Sequence, residues 1–261
     1  MRHYRTPTVI SAVVALLLVT AAGLAFWQAS RSNAQDQQPV LEYPQFPPTP
    51  TIGPNPTTAP APQSAAPLMA ASFDEPAAIS EWTFVPMEPI ALAEQQPVWA
   101  IEDGRLAQRS TAAAGNPSTL ETAALSGAAG WSDYRVQVSF YDLYNGTAGL
   151  IARYSGDDPL TASYYRYRIL KQAYPATPRQ VIEKVDQGVV TTLAEIKEPG
   201  FRERQWHVLA MSIVGGTITV TLDGVVVAEA VDAAPLSAGR AGIYTRAMGG
   251  ILFDDFSVTA W

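Results

Sequence analysis

The stretch from Trp206 to Trp261 constrains the fold most, because its apolar residues recur at every second position. Thr217-Ile218-Thr219-Val220-Thr221-Leu222 alternates strictly, the mark of a strand with one face in a core. Trp206–Val214 precedes it across Gly215-Gly216, and Val225–Ala228 follows it across Asp223-Gly224. Both dipeptides supply the positive φ that a two-residue hairpin turn requires. Gly242–Arg246 and Leu252–Val258 add two further strand segments.

The same pattern reaches upstream to Ser72. Trp99-Ala100-Ile101 meets Arg105-Leu106-Ala107 across Glu102-Asp103-Gly104, a hairpin signature. Thr119–Leu125 reads as a short strand, and Tyr134–Phe140 alternates cleanly. Gly149–Tyr154, Tyr164–Leu170, Gln180–Val185 and Val189–Ile196 follow. Helical periodicity is nearly absent. Many strands punctuated by Gly, Asp and Pro turns predict an all-β, two-sheet antiparallel sandwich.

The formal net charge of −7 argues against nucleic acid as a partner, since binding phosphates calls for a basic footprint. The absence of cysteine removes disulfides, thiolate catalysis and cysteine metal sites. Val9–Trp27 is almost wholly apolar, with Arg2 and Arg5 before it and no charge until Arg31. Nineteen residues at ~1.5 Å each span roughly 28 Å, close to the hydrocarbon thickness of a bilayer. The basic N-terminus predicts a cytoplasmic tip over 1–8 and a transmembrane signal anchor over 9–27. The competing assignment is a cleaved signal peptide ending at Ser32-Asn33-Ala34. Either one exports the rest. Ten prolines fall in the twenty-nine residues from Pro39 to Pro67, which excludes helix or sheet interior there. Residues 28–69 therefore read as a disordered Pro/Thr/Ala-rich linker, and 70–261 as the exported domain.

Within 72–261, several short motifs resemble the concanavalin A-like lectin/glucanase superfamily. They include Phe73-Asp74-Glu75, Gly104-Arg105-Leu106, Gly149-Leu150-Ile151-Ala152-Arg153-Tyr154, Tyr165-Arg166-Tyr167-Arg168-Ile169, Leu222-Asp223-Gly224 and Phe253-Asp254-Asp255-Phe256-Ser257-Val258. The chain is most similar to laminin G-like modules and to the bacterial domain often named 3-keto-disaccharide hydrolase. The resemblance implies a jelly roll. It implies carbohydrate binding, adhesion or glycoside hydrolysis as function classes.

Glycosidases of that superfamily commonly carry Glu-x-Asp-x-x-Glu on one strand, which sets three carboxylates on one face. No such triad occurs here, and the nearest glutamate pair, Glu195 and Glu198, runs into Pro199-Gly200. His207 is the sole histidine beyond the N-terminal tip, so a histidine-rich metal site is impossible. The densest functional-looking patch holds Arg153, Tyr154, Tyr164, Tyr165, Arg166, Tyr167, Arg168, Lys171 and Tyr174. Tyr165 and Tyr167 share one strand face, while Tyr164, Arg166 and Arg168 share the other. Tyrosine rings stack on sugars and arginine bonds hydroxyls or carboxylates. Arg153, Tyr165, Arg166, Arg168 and Lys171 are thus candidate ligand residues, with Tyr244 and Arg246 on the penultimate strand. The competing assignment puts the tyrosines in the core and the arginines on a solvated face. Asp74, Glu75, Asp254 and Asp255 could hold a structural calcium if the first and last strands are neighbours. The alternative role for these four is ordinary turn capping.

Taken together, the sequence predicts a membrane-tethered, non-catalytic domain that binds an extracellular glycan or glycoprotein. A sugar hydrolase and a structural envelope module are the competing readings. The native protein is expected to stay with membranes through carbonate extraction. A mature N-terminus at Gln35 in mass spectrometry would instead identify a signal peptide.

Overall fold

The computed structural model describes residues 67–89, 96–109, 121–143, 146–170, 179–197, 200–246 and 250–261. The expected anchor and most of the expected linker lie outside them. Among the described residues, no helix is long and apolar enough to cross a membrane.

Fifteen strands follow in chain order. They are β1 (Pro67–Ala71), β2 (Thr83–Pro86), β3 (Trp99–Glu102), β4 (Arg105–Gln108), β5 (Glu121–Ser126), β6 (Tyr134–Asp142), β7 (Thr147–Ser155) and β8 (Ser163–Leu170). The remainder are β9 (Arg179–Asp186), β10 (Val189–Ile196), β11 (Trp206–Val214), β12 (Thr217–Leu222), β13 (Val225–Val231), β14 (Arg240–Arg246) and β15 (Ile251–Ala260). The back sheet runs β13-β12-β11-β6-β15-β4-β3, with β1 also paired to β15, and the front sheet runs β10-β9-β8-β7-β14-β5-β2. All strand pairs are antiparallel. The expected two-sheet jelly-roll sandwich is present.

The predicted hairpins form at Asp103-Gly104, Gly215-Gly216 and Asp223-Gly224, and β9 and β10 add one at Gln187-Gly188 that the turn signals had not singled out. Asp103-Gly104, Gln187-Gly188 and Asp223-Gly224 each have positive φ at both residues, the condition for the turn whose twist matches the flanking strands. Two features differ from the expectation. β1 begins at Pro67, within the stretch read as linker, and pairs Pro67 with Thr259 and Met69 with Val258. Proline is tolerated there because β1 pairs on one side only, with β15. Between Asp74 and Thr83 the chain makes a 3₁₀ turn, Pro76–Glu81, opened by proline in its first turn.

Alternation sends one set of side chains between the sheets. From the back sheet come Val136, Val138, Phe140, Leu209, Met211, Ile213, Ile218, Val220, Phe253, Phe256 and Val258. From the front sheet come Ala148, Leu150, Tyr165, Tyr167, Ile169, Ile182 and Ile243. The front sheet also buries a second apolar group, which includes Leu125, Ile151, Tyr154, Tyr164, Val185 and Tyr244. On β8, β9 and β14 these side chains alternate with the core set, so they lie on the sheet's outer face.

Arg153 interrupts this regularity. It sits at a bulge in the β7–β8 pairing between Ala152 and Ser155, with φ of 51°. A bulge re-aims the side chain out of strict alternation. The guanidinium donates to the Ser132 carbonyl at 2.7 Å, the Leu236 carbonyl at 2.6 Å and Asp133 Oδ1 at 2.9 Å. Its backbone N–H donates to the Tyr134 hydroxyl at 2.6 Å. Arg153 is 2% exposed, so it ties β7 to two loops instead of presenting itself to a ligand. Sequence periodicity could not show this, because a bulge shifts the alternation it relies on. Arg153→Ala is expected to cost about 1–3 kcal/mol, because the Ser132 and Leu236 carbonyls lose their donor while the half-exposed Asp133 carboxylate stays solvated. Thermal melts check this, and an unchanged melting temperature would refute the structural role.

Candidate functional site

The outer face of the front sheet gathers most of the expected ligand residues, but in a different state from the one expected. Arg166 on β8 lies directly opposite Glu183 on β9. Arg166 Nε donates to Glu183 Oε2 at 2.8 Å, and its NH1 donates to Glu121 Oε2 at 2.7 Å. Arg168 NH2 donates to Glu183 Oε1 at 2.7 Å, with NH1 at 3.4 Å from Glu121 Oε1. Each glutamate thus takes both arginines, one per oxygen. Arg166 is 5% and Glu183 3% exposed. The arginines do not decorate a solvated face; they are half of a buried, neutralised quartet.

Tyr244 seals one side of the quartet. The Arg166 guanidinium lies 5.0 Å from its ring centroid. Its hydroxyl leans on Glu121 without full hydrogen-bond geometry, and burial followed by the Glu121 charge pushes its pKa far up. Gly149 makes room for it, since a Cβ there would stand 2.3 Å from the Tyr167 carbonyl oxygen and 2.8 Å from the Tyr244 ring. Burial opposes the charge on Arg166, yet Tyr244, Glu121 and Glu183 outweigh it and raise the pKa. Arg168 shifts upward too, because Tyr244 and Glu183 outweigh burial and the Arg166 charge. Both remain cations.

Beside the quartet a pocket of about 320 Å³ opens, lined in part by Met87, Glu88, Glu121, Leu160, Tyr164 and Arg166. Tyr164 stacks on Tyr154 with centroids 5.6 Å apart and planes 20° off parallel. Burial pushes the Tyr164 hydroxyl up to about 12. Glu88 Oε1 accepts the Glu121 backbone N–H at 2.8 Å. Burial and the neighbouring Glu121 charge nonetheless raise the Glu88 pKa, against that bond and Arg246. Arg246 lies opposite Glu121 across the β14–β5 pairing. This pocket offers a carboxylate and an apolar rim. It offers no spare cation, because its arginine is already paired.

The other expected residues fall elsewhere. Tyr165 faces the inter-sheet core, donates to Asp232 Oδ2 at 2.7 Å and accepts the Leu236 N–H at 3.0 Å. Tyr167 is also in the core, bonded to Gln180 Oε1 at 2.7 Å. Lys171 and Tyr174 lie outside the described residues. Glu195 pairs with Arg179 at 3.2 Å on the edge strand. His207 is buried between Asp223 Oδ2 at 2.7 Å and the Arg202 carbonyl at 2.9 Å, a structural role. Sequence reasoning missed Glu88, Glu121 and Glu183. The available signal for Glu183 was its place on the strand Gln180–Val185, one residue after Ile182, on the face opposite that side chain.

The four candidate calcium ligands are placed on and around the back sheet. Ser72 donates to Asp74 at 2.6 Å, and Asp254 accepts the Asp255 N–H at 2.8 Å. Glu75 caps the 3₁₀ turn through its carbonyl, not its side chain. No group of three or more His, Cys, Asp or Glu residues able to hold a metal ion occurs among the described residues. Burial, with the charges of Asp255 and Asp74, instead raises Asp254 to about 6 against the Asp255 N–H and Arg105.

No protein-family model matches the sequence, and no curated protein sequence does. Solved structures do match. A carbohydrate-binding module, CBM66, from Bacillus subtilis superposes with a TM-score of 0.52 at 18% identity, over 69% of this chain and 96% of that one. A B. subtilis protein of unknown function with a galectin-like fold gives 0.60 at 13%, over 76% and 97%. The domain has the two-sheet jelly-roll fold of these proteins. The Emp47p carbohydrate recognition domain is a third such jelly roll, at 0.53 and 9% identity over 77% and 99%. At these identities the likeness is one of fold, and the site must be argued from its own residues.

The raised Asp254 carboxyl generates a pH prediction. Its native pKa of about 6 exceeds the ordinary aspartate value near 3.8, so the native state binds the proton more tightly. That contribution to stability is complete below about pH 4 and is lost as pH rises through about 6. Asp254→Asn is expected to raise the melting temperature at pH 7 and to change it little at pH 4. A lower melting temperature at pH 7, reproduced in the wild type by chelator, would point to a bound cation instead.

Proposed function

We propose that this jelly roll is a carbohydrate-binding module, displayed outside the cell on its N-terminal segment, and that a glycan docks in the front-sheet pocket. The observation that carries the reading is the pocket's composition. Glu88 offers a carboxylate to sugar hydroxyls, while the exposed side chains of Leu160 and Val190 offer apolar surface to the C–H face of a ring. Carbohydrate-binding modules and recognition domains among proteins of the same fold support this reading. The paired state of Arg166 and Arg168 directs the site toward neutral sugars, because neither guanidinium is free for an anionic group.

A second reading, glycoside hydrolysis, draws on one observation. Glu88 has raised proton affinity and shares the pocket with Glu121, and hydrolysis requires one proton-bearing and one ionised carboxyl group. Both Glu121 oxygens, however, already accept from guanidinium groups. Non-catalytic binding remains the stronger reading.

One experiment separates the two. The protein is screened on a glycan array, then titrated with the best neutral oligosaccharide while reducing ends are assayed. Leu160→Ala and Glu88→Gln are each expected to weaken binding by about 1–3 kcal/mol, the scale of a lost apolar contact or charge-assisted hydrogen bond. No reducing ends should appear. Release of reducing ends that Glu88→Gln abolishes would establish the hydrolase.

A further inference from the structure

The outer face of the back sheet carries a depression of its own. Register lines up Thr259, Arg135, Ser212 and Thr219 on the adjacent strands β15, β6, β11 and β12. Arg135 is the one long side chain in that row, and Ser212 and Thr219 beside it are short. Such a step in side-chain length leaves a trough on a sheet face. The trough measures about 380 Å³ and is lined by Arg135, Ser212, Val214, Thr217, Thr219 and Trp261. Trp261 stands at its margin, 61% exposed, with its backbone N–H held by the Asp133 carbonyl at 3.1 Å.

Arg135 differs from the other inward-drawn arginines. Arg153, Arg166 and Arg168 each pair with a carboxylate. Arg135 makes no such ion pair among the described residues. Its contacts are Gln137 Oε1 at 3.4 Å and Thr221 Oγ1 at 3.3 Å, both long for a charge-assisted bond. Burial pushes its pKa down, and no neighbouring charge offsets that cost. A half-buried guanidinium without a counter-charge, beside a row of hydroxyls and an exposed indole, is a receptor for a specific chemistry. The guanidinium fork fits a carboxylate. The hydroxyls of Ser212, Thr217 and Thr219 each donate or accept, which suits a polyhydroxylated ring. The indole offers a flat apolar surface for that ring's C–H face.

We propose that this trough is a second saccharide site, selective for sugars that carry a carboxylate. Arg135 takes the carboxylate, the β11–β12 hydroxyls take ring hydroxyls, and Trp261 stacks on the ring. A small carboxylate alone would leave the indole and the hydroxyl row without a contact. The site does not depend on the front pocket, which lies on the other sheet and holds no free cation.

The test titrates the full chain with an oligogalacturonide, with its fully methyl-esterified counterpart and with acetate. The oligogalacturonide is expected to bind at least about tenfold tighter than the ester, the scale of losing a charge-assisted hydrogen bond, with affinity falling as salt rises. Arg135→Gln should weaken oligogalacturonide binding by ~10–100-fold and erase the preference over the ester. Trp261→Ala should weaken binding of both saccharides while leaving the melting temperature unchanged, since the indole is exposed. Glu88→Gln, in the front pocket, should leave oligogalacturonide affinity intact. Equal affinity for ester and acid, acetate binding as tight as the saccharide, or no oligogalacturonide binding would each overturn the proposal. So would affinity indifferent to both Trp261→Ala and Thr219→Val, which keeps the test decisive should Arg135→Gln fail to fold. Loss of neutral-sugar binding at the front pocket, with this binding intact, would count against the module reading alone.

Discussion

Drawing a charge out of water on a sheet surface is costly unless an opposite charge meets it. The front sheet's outer face is built on that condition. Arg166 and Glu183 are cross-strand partners, Arg168 reaches Glu183 along the diagonal, and Glu121 closes the ring from β5. A one-residue slip of β8 would send both arginines into the inter-sheet core and Tyr165 and Tyr167 out of it. The quartet therefore fixes the register that the apolar alternation alone would also favour, and the two requirements agree. Truncating one member leaves its partner buried and uncompensated, so the arginines that resemble ligand contacts are first of all supports. Their fixed geometry is what gives the pocket beside them a rigid floor.

Local signals carried most of the architecture. Hairpins such as β11–β12 and β3–β4 need only alternation and a turn dipeptide, both contained within some fifteen residues. That Tyr165 and Tyr167 share the face opposite Arg166 and Arg168 followed from the same period-two rule, but the rule does not say which face meets the core, and Tyr165 lies there and not among ligand contacts. β1 was hidden because its evidence is remote. It is proline-flanked, and its partner β15 lies at the other end of the domain. Arg153 was misread because a bulge is invisible to periodicity, and its three acceptors come from segments around residues 132 and 236.

The candidate site was legible in residue type but not in state. Arginine on an outward strand face looks the same in sequence whether it meets solvent, a ligand or a glutamate. Only the pairing of β8 with β9, and of β14 with β5, decides among these. Glu121 and Glu183 were passed over for a related reason, since an isolated glutamate within a strand has no spacing motif to announce it. The acidic residues near the termini show the converse. Asp74, Asp254 and Asp255 do influence one another, as neighbouring first and last strands implied. Yet they relieve their repulsion through hydrogen bonds and a raised pKa, without forming a cage for a cation.

The same distinction between paired and unpaired charge orders the two faces of the sandwich. On the front, two cations and two anions cancel, and the pocket that remains presents a carboxylate and an apolar rim to whatever enters. A ligand there gains affinity from hydroxyl hydrogen bonds and ring contact, with little long-range attraction. On the back, Arg135 bears the cost of partial burial without a partner, and the side chains around it are short hydroxyls. An incoming carboxylate would supply the missing charge in a partly dehydrated trough, where its attraction is screened less than at an open surface. A glutamate in place of Thr221 would satisfy Arg135 from within, much as Glu183 satisfies Arg166, and would close the site to anions. The chain has a threonine there, which leaves the compensation of Arg135 to a ligand.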